Sequence, residues 1–171
     1  VSLVSPLATI PVGVVVERSK AASRWSDVLW RPVAVLAGVP DTPPWTKLSD
    51  DGDRARFYAG MGTIELYRSE TGNYRDNLTA DPPLLWIALE PAHGDPPFRS
   101  PTVTADPAEG EAWTAMPGLV VDSVPMPPAI AQAVANFVAE HHVERPFTKR
   151  QRDRADPEAL GRRPPGGRGK S

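Results

Sequence analysis

Cysteine is absent from this 171-residue chain. That one absence excludes disulfides, thiolate metal sites, iron–sulfur ligation and a cysteine nucleophile. Histidine is scarce, with only His93, His141 and His142, and the His-Glu-x-x-His pattern of zinc enzymes does not occur. No run of about 18 apolar residues is present, so a helical membrane span is not expected. Phosphate cradles of the types G-x-x-x-x-G-K-[ST] and G-x-G-x-x-G are missing. So is the G-x-S-x-G elbow of many hydrolases. These absences set the expectation of no metal and no resident cofactor.

Proline is what the chain has in excess, with 21 residues spread along its length. They punctuate short elements and do not form one polyproline arm. Charge is also unevenly placed. Residues 1–144 hold 10 Lys/Arg against 18 Asp/Glu, whereas residues 145–171 hold 9 against 3. The body is acidic and the tail is basic, so the two are expected to differ in physical state or in task.

The pattern predicts an α+β domain. Its sheet is expected to be mainly antiparallel, made of short strands with small connecting helices. The expected boundaries are a flexible leader over 1–9, one domain over 10–147 and a disordered basic tail over 148–171. The β-branched run 10–18 reads as a strand buried on both faces. Residues 23–30 suggest a helical turn or ordered loop, 31–38 a second strand, and 45–48 a short one. Asp50 to Asp53, "DDGD", reads as a turn. "RARFYAGMGTIELYRSE" (54–70) reads as a hairpin turning at Gly60-Met61-Gly62. A short helix or turn over 70–78 and a central strand over 82–91 follow. A weaker strand is expected over 100–106 and a helix over 105–116, with Asp106 as cap, Pro107 in the first turn and Glu109 closing a capping box. A strand over 118–127 leads to one long helix over 127–143, packed on the sheet.

On that last helix, Ile130, Val134, Phe137 and Val138 form an apolar stripe at 100° per residue. His141 continues the stripe and His142 lies at its edge. Adjacent helical histidines do not readily close on one metal. The expectation is a core-facing His141 and a His142 near the helix C-terminus, where a cationic ring is mildly favoured. Glu65 is expected to face solvent on a half-buried strand.

Two sets of residues are candidates for recognition. Trp25, Trp30 and Trp45 lie close together among prolines. They are either core or a partner surface, since exposed Trp, Tyr and Arg dominate interface hot spots. Arg145, Phe147, Lys149, Arg150 and Arg152 make a basic segment suited to an acidic surface. Its lack of interleaved aromatics beyond Phe147 argues against nucleic acid as the partner. Arg31, Arg68 and Arg75 would have to converge if the protein held an anionic nucleotide.

Several stretches together carry a resemblance. "IPVGVVVER", "WSDVLWRPVAVL", "ELYRSETGNYRDNL", "PPLLWIALEP", "TADPAEGEAW" and "FVAEHHVERPFTKRQR" resemble an uncharacterised bacterial family encoded beside molybdenum-dependent formate dehydrogenase subunits. The resemblance spans roughly residues 10–152. It implies a role near assembly or cofactor loading of that enzyme. Together with the default cytoplasmic location of a chain without a membrane span, the leading expectation is a cytoplasmic, non-catalytic accessory protein with formate dehydrogenase subunits or maturation factors as protein partners. The alternatives are an enzyme or carrier for a molybdopterin nucleotide, and an RNA-associated protein using the tail. "LAGVPDTPPW" (36–45) lacks the glycine-rich loop of a guanylyltransferase, because Val39 stands where the second glycine belongs.

Overall fold

A computed structural model describes residues 4–20 and 28–143. Seven strands and three helices follow in the order β1 (Ala8–Lys20), β2 (Val28–Leu36), β3 (Thr46–Asp50), β4 (Arg54–Leu66), α1 (Thr71–Leu78), β5 (Leu84–Leu89), β6 (Thr102–Thr104), α2 (Pro107–Thr114), β7 (Val120–Pro125) and α3 (Pro128–His141), with a 3₁₀ turn at Arg68–Glu70 before α1. One sheet runs β2-β1-β4-β6-β5-β7, and β3 pairs with β4. The end strands β2 and β7 approach one another, so the sheet curls until it is nearly closed.

Strand β1 explains the β-branched run at the start of the chain. It pairs antiparallel with β2 on one side and with β4 along nearly its whole length on the other. Val12, Val14 and Val16 point inward and are fully buried, while Val15 and Glu17 are buried on the opposite face. The strand begins at Ala8, opposite Leu66, two residues earlier than the strand expected over 10–18.

The expected hairpin at Gly60 is instead one continuous strand of 13 residues. Ala59 has no partner between the Val14–Gly60 and Val15–Tyr58 pairs, so the register shifts by one residue there. Gly60 has φ of 110°, and supplies the left-handed backbone that a bulge requires. A Cβ on Gly62 would stand 2.8 Å from Val103 Cγ2, so glycine at this position lets β6 come close. The glycine pair reshapes a strand and does not reverse it. The sheet is mainly antiparallel, but it is mixed, because Ile64 of β4 pairs parallel with Val103 of β6. The expected helical turn at 23–30 is replaced, in its described part, by the start of β2 at Val28.

The interior is filled by Val12, Val14, Val16, Ile64, Leu66, Leu85, Ile87, Leu89 and Val103 from the sheet, with Ile130, Val134, Phe137 and Val138 from α3. Each such side chain contributes about 1.5–3 kcal/mol by leaving water. Helix α3 starts on Pro128 and presents its stripe to this core. It ends where His142 turns extended, with φ −75° and ψ 132°, slightly short of the expected 127–143. Asp106 caps α2 as expected, accepting from the Ala108 N–H at 2.9 Å, with Pro107 in the first turn. No helix among the described residues is long and apolar enough to cross a membrane. The tail over 148–171 lies outside the described residues.

Candidate functional site

At one end of the sheet, Trp30 of β2, Trp45 before β3, Phe57 of β4 and Phe98 of the loop after β5 meet. Trp30 lies 5.8 Å from Trp45, 5.7 Å from Phe57 and 5.7 Å from Phe98 between ring centroids. Trp45 stacks on Phe98 at 6.2 Å. Such offset and edge contacts suit aromatic quadrupoles. Both tryptophans are half-buried, so the cluster is part core and part surface. The Arg18 guanidinium lies 5.1 Å above the Phe57 ring and 5.8 Å from Trp30, within cation–π range. Trp45 holds φ of 71°, a conformation unfavourable for a bulky side chain, and its N–H donates to the Tyr58 carbonyl. The sequence brought Trp30 and Trp45 forward correctly as neighbours. Phe57, Phe98 and Arg18 escaped it, because their approach depends on strand order. Trp25 lies outside the described residues.

The outer face of the same strands is organised in rows. Leu36, Gly13 and Met61 stand side by side across β2, β1 and β4. Leu36 and Met61 are exposed, with Met61 at 50%. Pro40 folds over Gly13. Four residues further along β1, the row is Arg31, Glu17 and Arg56. Glu17 is only 4% exposed and accepts from Arg56 Nε at 3.2 Å, with Arg31 Nε at 3.7 Å. One carboxylate thus sits between two guanidiniums, both half-exposed. Sequence reasoning missed Glu17. Its signal was a charge directly after three consecutive valines, Val14 to Val16.

Arg31, Arg68 and Arg75 do not converge. Arg31 is opposite Glu17, while Arg68 follows the end of β4, where Leu66 faces Ala8. Nine residues along a strand separate these levels, about 30 Å. Arg75 is exposed on α1. Arg145, Phe147, Lys149, Arg150 and Arg152 lie outside the described residues.

The remaining expectations can be placed directly. His141 sits half-buried against Phe137 at 4.6 Å, and His142 Nδ1 is 2.9 Å from Thr71 Oγ1. No group of three metal-ligating side chains occurs among the described residues. The "DDGD" turn is self-bonded: Asp50 accepts from the Gly52 N–H, and Asp51 from those of Asp53 and Arg54. The hydrogen bond from Lys47, reinforced by the Gly52 N–H, holds the Asp50 carboxyl below its usual range. Glu65 is exposed and accepts from the Tyr67 hydroxyl.

Tyr74 of α1 is the most perturbed group. It is 1% exposed, packs edge-on to Phe137 at 6.1 Å, and accepts from the Tyr67 N–H at 2.9 Å. Burial pushes its pKa up to about 12. A folded value above the unfolded value of roughly 10 means that stability is intact below pH 10 and declines as pH rises toward 12. Tyr74→Phe should flatten this decline in melting temperature against pH. It should cost about 1 kcal/mol at neutral pH, for the acceptor that Tyr67 loses.

Residues 11–151 match the family described as "Protein of unknown function (DUF3305)". The chain belongs to the DUF3305 family. Neither the curated proteins nor the solved structures include a match. The match covers nearly all of the DUF3305 fold described above, from Pro11 in β1 past the end of α3.

Proposed function

We propose that this DUF3305 protein is a non-catalytic accessory protein that assists assembly or cofactor loading of a molybdenum-dependent formate dehydrogenase. The formate dehydrogenase assignment rests on the sequence resemblance. The physical support is the outer sheet face, where exposed Leu36 and Met61 flank Gly13 in one row, and Arg31 and Arg56 flank Glu17 in a row four residues along β1. Apolar residues gathered on a rigid sheet and rimmed by arginine have the composition of a protein-binding surface. The nucleotide-carrier reading is less favoured, since Arg31 stands nine strand residues from the level at which β4 ends before Arg68.

The test is affinity capture on the intact protein. Wild type should retain formate dehydrogenase subunits, and Leu36→Asp with Met61→Asp should retain at least tenfold less, with melting temperature unchanged. Equal capture by both proteins would move the contact to another surface. Recovery of RNA alone would replace the reading. Adding GTP should leave the melting temperature unchanged; a rise of several degrees would restore the carrier reading.

A further inference from the structure

A groove of about 540 Å³ runs between the 3₁₀ turn, α1 and the start of α2, lined by Tyr67, Glu70, Tyr74, Asp106, Ala108 and Glu109, among others. Its rim is acidic, and Glu65 adds a further carboxylate through Tyr67. Two nearly buried polar groups lining it are left half-satisfied. Tyr74 Oη accepts from Tyr67, but no described residue accepts its O–H proton. Asp106 is 8% exposed, and its Oδ1 accepts from Ala108 and Asn73, whereas Oδ2 has no donor among the described residues. A buried donor and a buried acceptor left without partners are costly. Together they ask for a ligand that brings both a cationic N–H and a carbonyl oxygen. A basic peptide carries both.

Such a peptide leaves the fold beside this groove. The His142 ring rests on Thr71, and Thr71 directly follows Glu70 in the chain. The next residues include Arg145, Phe147, Lys149, Arg150, Arg152 and Arg154. Lys149 is six residues past Val143, a reach of about 20 Å when extended. We propose that the chain's own basic segment, residues 145–154, docks in this groove, placing a guanidinium or ammonium on Asp106 and Glu109 and a backbone carbonyl on the Tyr74 hydroxyl. Tyr74 remains a donor throughout the physiological range, because its pKa lies near 12. The inference stands on the groove and the chain exit, independently of the formate dehydrogenase reading.

The absence of cysteine makes a direct test clean. Ala108→Cys is combined with Lys149→Cys in the full chain, and Asp41→Cys with Lys149→Cys serves as control. Both body positions are exposed, so folding is preserved. Under mild oxidation at low salt, the groove pair should form an intramolecular disulfide at least tenfold faster than the control. A disulfide needs Cα atoms within about 7 Å, so the rate reports docking. Glu70→Lys with Glu109→Lys, or 0.5 M salt, should remove the advantage. Equal rates for the two pairs overturn the proposal, as do disulfide-linked dimers, which place the segment on a second copy. Trypsin digestion of the cysteine-free chain gives a second readout. Cleavage between Arg145 and Arg154 should be slowed in wild type and restored by Glu70→Lys with Glu109→Lys; no difference overturns docking.

Discussion

Gly110→Ala should destabilise the protein by about 3 kcal/mol and lower its melting temperature by roughly 10 °C. The sign is opposite to the usual one. In an exposed helix, alanine is favoured over glycine by about 1 kcal/mol. Gly110 lies inside α2, and a Cβ there would overlap Trp86 Cγ and stand 2.5 Å from Cδ1 and Cδ2. The indole cannot swing away easily, because Trp86 lies in β5 between β6 and β7 and is 9% exposed. The helix must lift from the sheet. Gly72 of α1 is the internal comparison, since a Cβ there meets nothing within 4 Å. Gly72→Ala should therefore stabilise by about 0.5–1 kcal/mol. Urea midpoints of the two variants should move in opposite directions. A Gly110→Ala protein as stable as wild type would mean that α2 is not pressed against Trp86.

Asn77→Asp should cost about 3 kcal/mol or more at neutral pH, a loss set by hydrogen bonding and not by volume. Asn77 is 5% exposed. Its amide nitrogen donates to the Leu84 carbonyl at 2.8 Å and to the Ala105 carbonyl at 2.9 Å. Its oxygen accepts from the Leu84 N–H at 3.0 Å. One side chain of α1 thereby ties the start of β5 to the end of β6. A carboxylate of the same shape turns two attractive contacts into repulsions and leaves both carbonyls unsatisfied. The folded state then favours the protonated acid, so the aspartate's folded pKa rises above roughly 3.9. Stability from this group is present below the unfolded value and is lost as pH rises through the folded one. The deficit against wild type should shrink as pH falls toward 4. Melting curves from pH 4 to 8 measure it, and a deficit independent of pH would point away from ionisation.

How far the sequence reached depends on the range of the interaction. Strand β1, the capped start of α2 and the stripe of α3 were legible because each is encoded by neighbours in the chain. The α3 stripe also placed His141 beside Phe137. The Gly60-Met61-Gly62 stretch misled, because the same residues serve a turn or a bulge, and only the partner strand decides which. The parallel approach of β4 to β6 leaves no local mark. Glu17 was not singled out, because its pairing with Arg31 and Arg56 depends on two other strands. The tryptophan cluster was half legible: Trp30 and Trp45 lie 15 residues apart, but Phe98 reaches them only through the fold. Gly110 carried a faint signal, an isolated glycine inside a helix.

The double partnering of β1 has a consequence for synthesis. Its first neighbour ends at Leu36 and its second at Leu66. At roughly 5–20 residues per second, about 2–6 seconds separate the two on the ribosome. Through that interval the Val12–Val16 run has one edge unpaired and one face uncovered. An open, apolar strand edge is the feature most prone to pair with the wrong chain. The segment from β1 to β4 is thus strongly dependent on protection until β4 has been made.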